Sequence, residues 1–260
     1  MKTMHAVMLF LFVMTFSGVL SAENYRFSTL EYPPLEYQNT KGKAEGIVVD
    51  IVREIMEKRL SHTVEIDVLP WTRALEETRK GNYDAIFTAY ITPERKLFLD
   101  YSNEILIEQI MALYAKKDRK NKIKFTGDLN ELKENNYVIG VQSTISYGQK
   151  FDKIRDTLRT ERVNSLDQNF VKLAMGKLDL VISNIYVGSQ TLNDMDGKNG
   201  FKKDDIVQLD TTIERIPSYI GFSKAKNLTA LRDIFDAELR KLKQSGEYMN
   251  IIKKHNLVIK

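Results

Sequence analysis

Residues 69–102 read LPWTRALEETRKGNYDAIFTAYITPERKLFLDYS, and the order of elements in this stretch indicates the architecture of the chain. Ala74, Leu75 and Thr78 share one face of a predicted helix that stops at Gly81. An apolar strand over 85–89 follows directly, and Thr92 is a candidate N-cap for the next helix. Ligands of open α/β sheets bind where strands end and helices begin, so this stretch predicts a binding site.

Arg95 is the strongest candidate binding residue of this stretch. It follows Thr92 and Pro93 in the first turn of the predicted helix, where its planar fork could bind a carboxylate. An unpaired arginine buried in a cleft would be costly, which favours an anionic ligand. The alternative is a surface ion pair of Arg95 with Glu94 or Asp100.

The rest of the chain alternates between predicted strands and helices, which indicates an α/β fold. Ser143 to Ser146 could cap the helix that follows them, and Pro217 is expected to interrupt the last strand region. The predicted strands are 25–30, 63–69, 85–89, 103–116, 137–142, 161–164, 178–183 and 206–223. One predicted helix begins after Gly46, and the others cover 71–80, 165–175, 227–243 and 248–255. The apolar side of the 227–243 helix carries Leu231, Ile234, Phe235 and Leu239.

Composition narrows the class of protein. The 260 residues are 43% hydrophobic and 28% charged, which suits a globular chain long enough for two lobes. The absence of cysteine excludes disulfides, thiolate metal sites and a lipid-anchored start. The formal charge of +4 is mild and its charges alternate in sign, which favours solvated surfaces over a nucleic-acid patch.

The first 22 residues have the pattern of a signal peptide. Lys2 precedes an apolar run over 6–16, and small residues lead to Ala22. We expect cleavage after Ala22 and export of the mature chain. A retained membrane anchor is the alternative, although the apolar run is short for a span.

Several of these motifs together resemble the family 3 extracellular solute-binding proteins, the periplasmic receptors of amino-acid uptake systems of the ABC type. The resemblance rests on Trp71, the 92–95 turn, the Gly46–Ile51 segment and the ending from Gly246, although Val48 stands where the family has an acid. It implies a two-lobed type II periplasmic binding protein fold with two crossing hinge strands. Lobe 1 would comprise 23–113 and 217–260, and lobe 2 would comprise 114–216.

The resemblance also implies a set of ligand-binding residues. Arg95 matches the residue that binds the carboxylate, while Tyr32 and Trp71 match two side chains that sandwich the ligand. Both rings could instead belong to the core, and an ordinary N-cap is the alternative for the 143–146 turn. The full set is Tyr32, Trp71, Thr88, Tyr90, Arg95, Ser143, Thr144 and Asn184.

Asn184 departs from the family pattern, which has an acid there that binds the α-ammonium of the ligand. An amide can accept a hydrogen bond but supplies no countercharge. Either another acid, with Glu31 the nearest by sequence, supplies the charge, or the ligand lacks a free α-ammonium.

The implied function is capture of a small carboxylate, an amino acid or an amino-acid-like compound, for delivery to a membrane permease. We expect a monomer without cofactor or metal and without a nucleic-acid partner. A ligand-sensing subunit of a signalling system is one alternative, and a periplasmic dehydratase of the same fold is another. His5, His62 and His255 are the histidines of the chain, and none can be placed in a Ser/His/Asp constellation in the cleft.

Overall fold

The computed structural model describes residues 22–143 and 145–255, and the structural statements below concern these residues. The first part of the chain contains β1 (Asn24–Thr29), β2 (Tyr37–Gln38), β3 (Ala44–Glu45), α1 (Ile47–Arg53), β4 (Thr63–Val68), α2 (Trp71–Arg79), β5 (Ala85–Ala89), α3 (Pro93–Lys96), β6 (Leu99–Tyr101) and β7 (Ile107–Lys116). The second part contains α4 (Asn130–Glu134), β8 (Ile139–Gln142), α5 (Gln149–Ile154), β9 (Thr160–Val163), α6 (Leu166–Ala174), β10 (Leu180–Asn184), α7 (Ile185–Met195), β11 (Ile206–Ser223), α8 (Thr229–Gln244) and α9 (Glu247–Lys254).

Shorter helical turns complete the backbone. A π-helical segment continues α1, and 3-10 turns connect several of the other elements. Their bounds are Glu54–Arg59 for the π-helical segment and Lys117–Lys122, Arg155–Thr157, Lys198–Gly200, Lys203–Asp205 and Lys224–Lys226 for the 3-10 turns. Every helix in the described part of the chain is too short or too polar to cross a membrane.

The described residues form one nine-stranded mixed sheet, and the parallel strands at its two ends, called here the first and the second sheet, confirm the α/β prediction. In the first, β1 pairs in parallel with both β4 and β5. In the second, β8 pairs in parallel with both β9 and β10. Both faces of β5 and β10 are buried, as is usual for strands between helical layers.

Two long strands connect these sheets. β7 and β11 run antiparallel to each other, with Ile107 opposite Ser218 and Lys116 opposite Ile206. β7 also pairs with β10 of the second sheet, whereas the end of β11 pairs with β5 and β6 of the first. The chain therefore passes twice between two lobes, as the two crossing strands were predicted to do. The lobe boundaries at 113/114 and 216/217 stay a prediction; both lie inside these strands.

Separate hydrophobic cores support the two lobes. One core packs α1, α8 and α9 against the first sheet, with fully buried Phe27, Ile51 and Phe235. Another packs β8, β10 and α5 together, with fully buried Ile139, Phe151 and Ile182. Full burial of such side chains contributes about 1.5–3 kcal/mol each.

Most element predictions are confirmed, and the local signals explain why. Gly81 ends α2 with a φ of +79°, a conformation that glycine adopts without a Cβ penalty. Thr92 caps α3, because its side chain accepts the Arg95 backbone N–H at 3.3 Å.

Three expectations about elements were wrong. Pro217 does not interrupt β11. It lies opposite β7, and the pairing of β11 with β5 begins only at Tyr219, so the other edge of the strand requires no backbone N–H at Pro217. The 143–146 turn does not cap α5, which begins after Gly148 at a φ of +96°. Ile234 is 42% exposed because the buried stripe of α8 continues through Leu242 instead. Helix α7 was missed altogether.

Candidate functional site

A cleft of about 440 Å³ opens at the carboxyl end of β5 and is bordered by both lobes. Its walls come from the β1 end and the turn after it, from the start of α2, from β5 and α3, from β7, and from the loop before α5. The lining residues are Leu30, Glu31, Tyr32, Trp71, Thr88, Tyr90, Arg95, Gln109, Ile145 and Ser146. Five of the eight candidate residues from the sequence are among them: Tyr32, Trp71, Thr88, Tyr90 and Arg95.

Arg95 is held at the cleft by its own helix and by the end of β5. Its Nη1 donates to the Tyr90 carbonyl at 3.0 Å, and its Cζ lies 5.0 Å from the centre of the Trp71 ring. Arg95 forms no ion pair with any residue that the structure describes, and Asp100 pairs with Arg232 at 2.6 Å instead. The surface ion pair with Glu94 or Asp100 is therefore not formed. A guanidinium has five N–H donors, so most of them stay available to a ligand.

The carbonyl that positions Arg95 belongs to one tyrosine and accepts a hydrogen bond from another. The Tyr101 hydroxyl donates to the same Tyr90 oxygen at 3.0 Å. Burial raises the pKa of Tyr101 to about 12, and the nearby Arg95 opposes that shift. Burial also raises the pKa of Tyr90 to about 12, with a further contribution from Glu36 and Glu214. Both phenols are therefore neutral hydrogen-bonding groups at physiological pH.

The two aromatic candidates serve the core and the cleft together. Tyr32 and Trp71 are each half-buried; Tyr32 packs against the core of the first lobe and Trp71 against a smaller cluster around Ala74 and Leu99. Each ring also lines the cleft. Packing on one side holds each ring in place, and exposure on the other side leaves a face free to stack against a ligand.

Thr88 connects the cleft to a buried carboxyl group. Its hydroxyl donates to Glu36 Oε2 at 3.0 Å, and Glu36 is completely buried. Burial raises the pKa of Glu36 well above its usual range, while the Thr88 hydrogen bond opposes that shift. Thr88 has a φ of +60°, which is rare for a β-branched residue and indicates a strained backbone at the site.

The three candidates from the second lobe are placed differently. Ser143 is exposed and outside the lining set, with its backbone N–H and hydroxyl both donating to the Val163 carbonyl. Thr144 lies outside the described residues. Asn184 is 2% exposed and does not line the cleft. Its Oδ1 accepts the Tyr186 backbone N–H at 2.9 Å and so caps α7, while its Nδ2 donates to Gln109.

Sequence reasoning did not assign five of the lining residues to the site. Leu30, Ile145 and Ser146 neighbour residues that were assigned, and Glu31 was considered only as a substitute acid. Gln109 carries no local signal, because it stands in an apolar strand far from the other candidates in sequence. Only the pairing of β7 with β10 and β11 brings it to the cleft.

Comparisons with known proteins find similar sequences along most of the chain. A model of the bacterial extracellular solute-binding proteins, family 3, matches residues 27–257. A probable histidine-binding protein from Neisseria gonorrhoeae is 26% identical over 231 residues, which cover 88% of this chain and 81% of that protein. An arginine-binding periplasmic protein from Mannheimia haemolytica is 25% identical over 254 residues, covering 94% and 96% respectively.

A solved structure shows the same fold. The second substrate-binding domain of Lactococcus lactis GlnP, in its open conformation, superposes with a TM-score of 0.71 at 17% identity. The match covers 92% of this chain and 97% of that one. At this identity the likeness shows the fold, which is the two-lobed periplasmic binding protein architecture expected from the sequence.

Proposed function

Because the chain belongs to family 3 of the bacterial extracellular solute-binding proteins, we propose that it captures a small carboxylate, an amino acid or an amino-acid-like compound, in the cleft between its lobes. The names of the two curated relatives, one histidine-binding and one arginine-binding, support an amino-acid-like ligand. We further propose that the loaded protein delivers this ligand to the permease of an ABC-type importer.

The observation that carries the proposal is Arg95. It is a half-buried cation at the cleft, fixed by the Tyr90 carbonyl and stacked on Trp71, and it has no anionic partner among the described residues. Bidentate binding of a carboxylate would supply the missing charge. Tyr32, on another part of the same wall, would pack against the remainder of the ligand.

Calorimetric titration of Arg95→Ala tests the carboxylate site. We expect the substitution to cost about 2–5 kcal/mol of binding free energy, because it removes one partner of a desolvated charge pair. Arg95→Lys should rescue binding only in part, since an ammonium cannot bind both oxygens in the same geometry. Arg73→Ala is the matched control, because Arg73 is an exposed arginine of α2 outside the lining set. Binding by Arg95→Ala close to that of the wild type would remove Arg95 from the site.

Uptake measurements separate delivery from sensing. If the protein serves an importer, deleting its gene should abolish high-affinity uptake of the labelled ligand. A sensing subunit would instead leave uptake intact and change the response of a signalling partner. We propose binding without catalysis, in line with the binding proteins among the relatives, and recovery of unchanged ligand after incubation checks this.

We propose that the protein acts in the periplasm as a monomer. The support for this location is the signal-peptide pattern of the first 22 residues and the periplasmic relative. Mass spectrometry of the exported protein should find Glu23 as the first residue, and light scattering should give the mass of one chain. A retained leader would contradict the proposed cleavage.

A further inference from the structure

The side-chain amides of Gln109 and Asn184 form a hydrogen-bonded pair at the wall of the cleft. Gln109 belongs to the crossing strand β7 and Asn184 ends β10, and each is only 2% exposed. Asn184 Nδ2 donates to Gln109 Oε1 at 2.5 Å. Gln109 lines the cleft and Asn184 does not, so Gln109 is the member of the pair that a ligand meets.

One backbone group fixes the orientation of both amides. The Tyr186 N–H can only donate, so the Asn184 atom 2.9 Å from it must be the oxygen. Asn184 therefore points its Nδ2 toward Gln109, and Gln109 must accept with its Oε1. Amide orientations follow from such networks, and this network begins at a main-chain donor that cannot be reversed. Gln109 Nε2 is thereby left as the free end of the pair.

This free end is a donor with no acceptor. Gln109 Nε2 has no hydrogen-bond partner among the described residues, and within an otherwise buried side chain it keeps access to the solvent of the cleft. Closure of the cleft over an unpaired donor would be unfavourable, because the donor would lose its hydrogen bonds to water. A ligand oxygen would satisfy Nε2, whereas a ligand ammonium would place a second donor against it.

The acidic residue of the cleft lies at its edge. Glu31 is the one carboxylate among the described lining residues, and it is exposed, with Oε2 accepting the Gln38 backbone N–H at 3.0 Å. An ion pair in such an exposed position contributes little, because water and salt screen it. It would compensate poorly for an ammonium buried against Gln109.

We propose that the Gln109–Asn184 pair selects the ligand class of this cleft, favouring carboxylates that present an oxygen acceptor to Gln109 Nε2 over those that present a free ammonium. The favoured compounds are hydroxy acids, oxo acids and N-acylated amino acids. The inference rests on the proposed carboxylate site at Arg95 and specifies what binds beside it.

The test compares matched compounds on wild-type protein by calorimetry and thermal shift. The pairs are L-histidine with imidazolelactate, L-leucine with 2-hydroxyisocaproate, and L-glutamate with 2-hydroxyglutarate. In at least one pair we expect the hydroxy acid to bind about tenfold or more tightly than its amino acid, the ratio that about 1.4 kcal/mol produces. Tighter binding of the amino acid in every pair would overturn the inference.

Substitutions then reverse the polarity of the pair. Gln109→Glu can still accept from Asn184 Nδ2 with one oxygen and presents the other oxygen to the cleft in place of Nε2. Asn184→Asp should also place an oxygen in the cleft. The Asp carboxylate would accept from Gln109 Nε2, so the Gln109 amide would flip and turn its Oε1 toward the ligand. Both variants should shift the ratio within a pair toward the amino acid by about tenfold or more, and an unchanged ratio would contradict the inference.

Two further variants serve as controls. Gln109→Leu removes the donor without adding charge, so it should weaken the hydroxy acid and leave the amino acid unimproved. Gln168→Glu adds the same charge on an exposed position of α6 and should change neither. Arg95→Ala separates the two proposals: undiminished binding of these acids would refute the carboxylate site, whereas loss of binding with an unfavourable ratio in the wild type would refute only the role of the amide pair.

Discussion

Glu36 is a buried acid directly beneath the binding cleft. Its Oε2 accepts from Thr88, a lining residue, and its Oε1 has no hydrogen-bond partner among the described residues. Burial raises its pKa well above the usual range. The folded protein therefore holds this carboxyl protonated under conditions in which the unfolded chain ionises it.

Glu36→Gln should alter the pH dependence of stability in one direction. A raised folded pKa means that the contribution of Glu36 to wild-type stability falls as pH rises above about 4.3, by at most about 1.4 kcal/mol per pH unit, until the folded pKa is reached. Glutamine retains a hydrogen-bonding group without ionising, so the variant should gain stability over wild type toward neutral pH and match it in acid. The free energies of unfolding of both proteins, measured by chemical denaturation between pH 4 and 8, check this. A constant difference across that range would mean that Glu36 does not titrate as proposed.

Trp71 contributes to the site through its contact with Arg95. The guanidinium carbon lies 5.0 Å from the ring centre, within the range of a cation–π interaction. We expect Trp71→Ala to weaken carboxylate binding by about 0.5–2 kcal/mol, while Trp71→Phe keeps most of the affinity because a ring face remains. Calorimetry on both variants measures the difference. Equal losses for Ala and Phe would indicate that the indole acts in another way.

Residues of the site differ in how far the sequence predicts them. The position of Arg95 in the first turn of α3 was predictable because Thr92 and Pro93 define that helix locally, and the structure places all three as expected, while its role in binding stays a prediction. The surroundings of Gln109 and Glu36 were not predictable, because their hydrogen-bond partners, Asn184 and Thr88, are 75 and 52 residues away. A side chain whose chemistry is set by a distant partner leaves no local pattern.

At the scale of elements, the aromatic turn and helix α1 depend on each other. The helix has no side-chain N-cap; instead, the Ile47 and Val48 N–H groups donate to the carbonyls of Pro34 and Leu35 at 3.0 and 2.8 Å. Gly46 allows this approach, since a Cβ there would lie 2.4 Å from the Leu35 oxygen. The turn that carries Tyr32 and Glu36 is thereby held against the start of a helix.

Gly46→Ala should therefore be strongly destabilising. Its φ of +128° and the contact with backbone atoms both oppose a Cβ, and together they should cost about 2–5 kcal/mol. Gly197→Ala is the control, because Gly197 has a φ of +76° but open space around it, so only the backbone penalty of about 1–2 kcal/mol applies. Chemical denaturation measures both. Equal losses would show that the close approach to Leu35 contributes nothing.

Element predictions succeeded where sequence periodicity was strong and failed where tertiary pairing decided the outcome. Helix α7 begins directly after β10, and the loop signals that follow it masked the pattern. Its first residues, Ile185 and Tyr186, pack with the core of the first lobe rather than with a solvated surface. Pro217 is tolerated in β11 because β11 pairs with β7 at this position and with β5 only from Tyr219 onward. A single sequence does not reveal these pairings.

At the scale of the whole molecule, two antiparallel strands form the connection between the lobes. β11 pairs with β5 of the first sheet and with β7, and β7 pairs with β10 of the second sheet. Bending within this connection can therefore move one lobe relative to the other without breaking either core. The cleft lies beside this connection, with Arg95 on one lobe, Gln109 on β7 and Ile145 on the other lobe. A ligand that contacts all three would favour the closed arrangement through its contacts with both lobes.

Saturating ligand should therefore make the protein more compact. Small-angle scattering of the wild type should give a smaller radius of gyration with the tightest-binding carboxylate than without it, because contacts from both lobes are satisfied only when the lobes approach. Arg95→Ala under the same conditions should keep the larger radius, since the anchoring charge on the first lobe is gone, and Arg73→Ala should close like the wild type. If calorimetry shows full occupancy while the wild-type scattering profile stays unchanged, ligand binding does not close the lobes and bending of the crossing strands has no part in it.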